Sequence, residues 1–253
     1  MFNSPGWAAL IDVKTAAGVA GAVSRSRLLA YGLQNRKEAT CDRGNEGDDD
    51  VVGAVARHGV NMVLCEAFYP VLHMVEIVLR SRIHDAFSMH FNSAFWYEGG
   101  KLGEGHQRMV DAAKTELLQR GIERHADRVI SELSFGFWCG MFHARYEHRD
   151  GPWPALLRSV FPRVPKSWAT REKIRIRLEA ARLIRNRVFH HHPISQYQDL
   201  HARHRALVEL LGWMSPDARA HVGAICRFNA VHADRLRLAT PDSPCISELP
   251  TVI

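Results

Sequence analysis

The chain has 253 residues, 46% of them hydrophobic and 24% charged, which is enough apolar mass for one large domain or two small ones and excludes global disorder. A net charge of +6 and a sequence pI of about 9.3 point to a polyanionic partner. The five cysteines (Cys41, Cys65, Cys139, Cys226, Cys245) form no C-x-x-C pair and are odd in number, so free thiols are expected instead of a disulfide frame or a zinc site.

No apolar run approaches the roughly 20 residues of a membrane span. At the N-terminus Asp12 and Lys14 interrupt the apolar order of a secretory signal. A cytoplasmic protein with no membrane contact is expected.

In chain order, the first fifty residues predict one short helix around Ser24 to Asn35, set between a loose Ala/Gly-rich stretch over 15–22 and an acidic loop from Asp42 to Asp50. Val51 to Phe91 is apolar at helical spacing, with Pro70 as a kink or break. Asn92 to Gly105 reads as a loop. Glu104 to Arg120 reads as a helix stopped by Gly121. Arg124 to Leu133 is a further helix, and another run follows Ser134 to about Tyr146. Gly151-Pro152-Trp153-Pro154 and Phe161-Pro162 bracket a short helix. Thr170 to about His190 is a long charged helix, followed by helices over Ser195–Leu211 and Ser215 to about Leu238, then a Pro-rich tail from Thr240. No hairpin, βαβ unit or internal repeat appears. The expected fold class is all-α, a helical bundle over 51–240 between an N-terminal extension (1–50) and a tail (241–253).

The charge is concentrated. Residues 166–205 hold ten Lys and Arg against three acids, a net of +7, so the rest of the chain is close to neutral. Such a patch fits a nucleic acid, or a solvated helix face. On a helix from Thr170 to His190, Ile174, Leu178, Ala181 and Val188 form an apolar stripe, and Arg185 falls on that stripe. A guanidinium there requires a partner or a shared cleft. Arg171, Arg175 and Arg182 lead along an adjacent stripe to the same residue.

Pro193 disfavours helix at His192, so the helix ends near His190 to His192, where the dipole favours protonated imidazole. Arg185 and His190 lie five residues apart, about 140° around an ideal helix. Asn186 shares a face with His190 and can orient its ring. Metal-free RNA cleavage uses these groups: an imidazole to move protons and a fixed cation for charge growing on the phosphate.

The run His190-His191-His192 reads poorly as a metal site, because consecutive residues do not converge on one tetrahedral ion; no metal and no cofactor are expected. Glu76 is a second polar residue on an apolar face. Arg80 at i+4 is its expected partner and Arg185 the alternative. Phe135-Gly136-Phe137-Trp138 and Trp96-Tyr97 read as core in preference to base-stacking surfaces.

Three segments, Glu76-Ile77-Val78-Leu79-Arg80, Leu133 to Trp138 and Arg185-Asn186-Arg187-Val188-Phe189-His190-His191-His192-Pro193-Ile194, occur in an order that resembles the bacterial Abi-like (abortive infection, AbiD/AbiF type) proteins of the HEPN superfamily. The resemblance runs from about Ser24 to Leu238 and includes Leu210-Leu211-Gly212-Trp213. His192 stands where that family often has Glu, Ser81 where it often has Asn, and the first eighteen residues have no counterpart.

The resemblance implies a HEPN-like bundle and a metal-independent endoribonuclease of phage defence or toxin type, with an R-x4-H site at a homodimer interface. Arg185 would hold the scissile phosphate, His190 act as general acid/base and Asn186 position it. Arg175, Arg182, Arg187 and His191 would bind RNA, and Glu76 and Arg80 support the site. A neutralising antitoxin, RNA or protein, is the further partner implied. The alternative is a non-catalytic HEPN-type module that binds RNA or protein; a nucleotide-binding role for the same pocket is a third reading.

Overall fold

The computed structural model describes residues 11–33, 46–147, 151–153 and 155–234. Among them are eleven α-helices and no strand: α1 (Val13–Val23), α2 (Arg25–Leu29), α3 (Glu46–Phe91), α4 (Glu104–Gln119), α5 (Ala126–Glu132), α6 (Phe135–Gly140), α7 (Leu157–Val160), α8 (Arg171–Phe189), α9 (Leu200–Met214), α10 (Pro216–Ile225) and α11 (Phe228–Asp234). The all-α class holds. The chain divides into two compact units. One comprises 1–70, 186–204 and 224–253; the other comprises 71–185 and 205–223.

In the first unit the stretch over 15–22 is helix, not loose chain. Asp12 caps α1 by accepting a hydrogen bond from the Thr15 amide (2.6 Å). The small residues Ala16 and Ala20, one turn apart, let α1 pack against Leu28, Tyr31, Ala54 and Val55. The helix expected around Ser24 to Asn35 shortens to α2. Ser24, at φ 71°, ends α1 and caps α2 through Arg27 N–H (3.4 Å). Residues 34–45, with Cys41 and the first four residues of the acidic loop, lie outside the described residues, and so do the tail from Thr240 and Cys245. Helix is already formed from Glu46, inside the segment expected as loop.

Pro70 does not break α3, which runs unbroken for 46 residues. The division between the units falls at this proline. By length and composition α3 also corrects the expectation about membrane spans: its residues 50–91 contain an 18-residue window of mean hydropathy 1.7, of which 44% is buried in the fold. A core helix meets the same test.

The second unit has an aromatic core. Phe87 meets Trp96 edge-on at 4.9 Å, and Trp153 stacks on Phe142 at 4.4 Å. Three core indoles have acceptors: Trp96 donates to His84 Nδ1 (3.1 Å), Trp138 to the Leu133 carbonyl (3.3 Å) and Trp153 to the Met141 carbonyl (2.7 Å). Phe135, Phe137, Trp138, Trp96 and Tyr97 are all buried, as their helical spacing suggests. Gly121, at φ 67°, closes α4 where expected.

The helix expected from Ser215 to about Leu238 is two helices, α10 and α11, interrupted at Cys226-Arg227. Both residues are engaged there in the first unit: Cys226 Sγ lies 3.2 Å from His204 Nε2, and Arg227 pairs with Glu66. The described cysteines Cys65, Cys139 and Cys226 are free thiols.

Candidate functional site

Helix α8 forms because its apolar residues recur at helical spacing: Ile174, Leu178, Ala181, Ile184 and Val188 are buried. Ile184 takes the interior place where the simple stripe puts Arg185. Arg185 sits beside it, its side chain 26% exposed, and donates to Glu76 Oε2 of α3 at 3.3 Å. Both residues belong to the second unit. The expected local pair of Glu76 with Arg80 is not formed. Arg80 instead faces the Ser131 carbonyl at 3.4 Å, because α5 lies within its reach. The long-range partner wins where two half-buried opposite charges can meet out of bulk water.

The other arginines of this helix are also engaged. Arg171, buried, bonds Glu147 (2.5 Å) and the Phe142 carbonyl (2.6 Å). Arg175 forks onto Glu172 (2.9 and 2.7 Å) and Arg182 onto Glu179 (3.0 and 2.6 Å). These forks hold the carboxyls down. Glu172 lies at about 2, chiefly through its hydrogen bond from Arg175, and Glu179 is lowered chiefly by Arg182. Arg177 lies 4.3 Å over Trp168 and 5.2 Å over Trp213 and reaches Glu209. Arg175 and Arg182, expected to bind RNA, therefore each already hold a carboxylate.

The end of α8 belongs to the first unit and is closed by a Schellman motif. His191 N–H donates to the Val188 carbonyl (3.2 Å) and His192 N–H to the Arg187 carbonyl (2.8 Å), with His191 left-handed at φ 58°. Pro193 follows, so the helix stops where sequence places its end. The Asn186 carbonyl accepts from His190 N–H at 2.9 Å, which keeps His190 in helical register with it. His190, His191 and His192 are exposed, and the rings of His190 and His192 lie 6.5 Å apart. Arg187 donates to the Pro193 carbonyl (2.8 and 3.3 Å) and lies over Tyr197 (5.2 Å).

Two supporting residues were not singled out from sequence. Asn61 of α3, 3% exposed, accepts with one oxygen from Ile194 N–H (2.7 Å) and Ser195 N–H (3.1 Å), fixing the chain after the histidines. Its signal was a lone amide among apolar residues of α3. Arg27 donates to the His191 carbonyl at 3.2 Å, and nothing in the local pattern announces that contact.

Among the described residues no three His, Cys, Asp or Glu side chains gather to hold a metal ion. The chemistry on offer is a carboxylate-held guanidinium on α8 and imidazoles at that helix's end. Compared with known families, curated proteins and solved structures, the chain matches none. The Abi-like resemblance thus rests on the residues quoted for it.

Proposed function

We propose that the protein is a metal-independent endoribonuclease with Arg185, Asn186 and His190 as its working residues, acting on RNA in the cytoplasm as a homodimer. The observation that carries this reading is the Glu76–Arg185 ion pair. Glu76 and Arg185 are 109 residues apart in sequence, and each stands beside an apolar helix face. An arginine kept only for solubility needs no remote carboxylate to aim it. One held this way is pre-ordered for a phosphate.

In the reaction the RNA's 2′-oxygen attacks the adjacent phosphorus as the P–O5′ bond breaks. Imidazole accepts the 2′-hydroxyl proton and delivers one to the leaving 5′-oxygen. Arg185 offsets the charge gathering on the non-bridging oxygens, and Asn186 orients His190. The products are a 2′,3′-cyclic phosphate and a 5′-hydroxyl, with no water or metal consumed. The Abi-like resemblance adds abortive infection or toxin action as the setting, with an antitoxin as neutralising partner.

The test is cleavage of single-stranded RNA by the purified full chain in EDTA. Loss of about 10²- to 10⁴-fold in His190→Ala and Arg185→Ala is expected, with cyclic phosphate ends on the wild-type product. Arg175→Ala and Arg182→Ala are expected to stay within a few fold. Full activity in His190→Ala ends the proposal.

A second reading has its own observation: every arginine of α8 already donates to a carboxylate or carbonyl. A helix so neutralised suits a non-catalytic module that binds RNA or protein. RNA binding that weakens steeply with salt, with no product formed, selects it.

A further inference from the structure

We propose that the first unit carries a nucleobase-binding groove beside His190, which seats an unpaired base of an RNA strand; its setting rests on the nuclease reading above. The groove holds about 490 Å³ and is walled by Tyr69 and Pro70 of α3 and by Val188, Phe189 and His191. A volume of this size takes a planar heterocycle with room for its sugar.

Most of the molecule's large aromatic side chains are buried. Tyr69 and Phe189 are instead 48% and 38% exposed, and their ring centroids lie 5.9 Å apart, inclined at 39°. Two inclined, half-exposed rings are a stacking surface for a flat π system, which every base presents. Cys65 and Glu66, the latter paired with Arg227, complete the lining.

Charge complementarity favours a nucleic acid over a peptide. Arg27 bonds the carbonyl of His191, a lining residue, and so brings a guanidinium to the rim, where His190, His191 and His192 are exposed. An anionic strand meets the Arg27 guanidinium outside and aromatic faces inside. An amphipathic helix would instead need a row of apolar anchors. Phe189 and His191, both lining residues, flank His190 in the chain, so the groove borders the proposed general acid/base in sequence.

The test uses the full chain and a 2′-O-methyl single-stranded RNA decamer, which cannot be cleaved, bearing one 2-aminopurine. Stacking quenches the probe. Wild-type protein is expected to quench it, while Tyr69→Ala and Phe189→Ala bind about five- to hundredfold more weakly. Phe189→Tyr keeps a ring and is expected to keep the quenching; a duplex of the same sequence is expected to show none. Absence of quenching by wild type, or unchanged affinity in both alanine variants, overturns the groove. Because the probe is not cut, failure of the nuclease reading leaves this result standing. Normal cleavage with both rings removed would instead preserve that reading and reject the groove.

Discussion

The two stretches of the basic helix differ in what their charges do. From Arg171 to Arg185 each arginine meets a carboxylate: Glu147, Glu172, Glu209, Glu179 or Glu76. After Arg185, Arg187 bonds a backbone carbonyl and three exposed imidazoles follow. A patch of net +7 in sequence is thus not a +7 surface. The first stretch is a ladder of ion pairs that fixes the helix, and the exposed imidazoles stand beyond it at the helix end. A basic run points to a polyanion only after its partners have been counted.

Within the ladder the rungs differ by burial, and this gives the largest expected effect on stability. Arg171 is 6% exposed and its removal strands the Phe142 carbonyl in the core. Arg171→Leu is expected to cost about 3–5 kcal/mol in urea unfolding. Arg175→Ala, losing a solvent-facing fork, is expected to leave the urea midpoint close to that of the wild type. Equal losses in the two variants would break the distinction between scaffold and surface rungs.

The histidines extend the comparison from the exposed helix end to a buried site. His204, 6% exposed, stacks on Phe228 at 4.0 Å with His201 and His232 near by. Burial first, and then the charges of His201 and His232, push its pKa from 6.5 down to about 4. Between those values the unfolded chain binds a proton that the native state refuses, so stability falls as pH drops from 6.5 towards 4. About 3 kcal/mol is expected from this group across that window. His106, also lowered chiefly by burial, adds to the same slope. His204→Gln should flatten most of the pH dependence of the unfolding free energy between pH 7 and 4.5; an unchanged slope would assign it elsewhere.

The sequence exposed what periodicity and punctuation govern. The all-α class, the course of α4 and α8, the stop at Gly121 and the helix end before Pro193 all follow from local pattern. Pro70, which reads as a kink or break, does not end α3, because one N–H lost inside a long helix is tolerated where neighbours such as Phe68 and Val71 are buried. The Ala/Gly stretch over 15–22 reads as loose chain in sequence because small residues signal flexibility until a close-packing neighbour such as Tyr31 or Ala54 is known. At the candidate site, Arg185 and Glu76 were both visible as polar residues on apolar faces. Their pairing was not, since one sequence favours the partner one turn away. Asn61 and Arg27 act on backbone groups more than a hundred residues distant, which no local pattern encodes.

Asn61 allows the anchoring of the helix end to be separated from its chemistry. Asn61→Ala leaves the amides of Ile194 and Ser195 without their acceptor and is expected to cost about 2 kcal/mol in urea unfolding. Asn61→Asp keeps the acceptor oxygen and should recover part of that loss. No loss in the alanine variant would show that the chain after the histidines is held by other contacts.

The smallest expected effect concerns His191, which holds φ 58° without being glycine. Its Schellman position favours glycine, and a side chain there is strained. Glycine relieves that strain but gives the unfolded chain more freedom, so His191→Gly is expected to stabilise by no more than about 1 kcal/mol. The same variant separates two roles for this residue. If His191 only shapes the turn that follows His190, cleavage and RNA affinity persist in the glycine variant. If its imidazole contacts RNA, affinity falls while the fold becomes firmer. Stability and binding would then move in opposite directions, which a purely structural residue at this position does not allow.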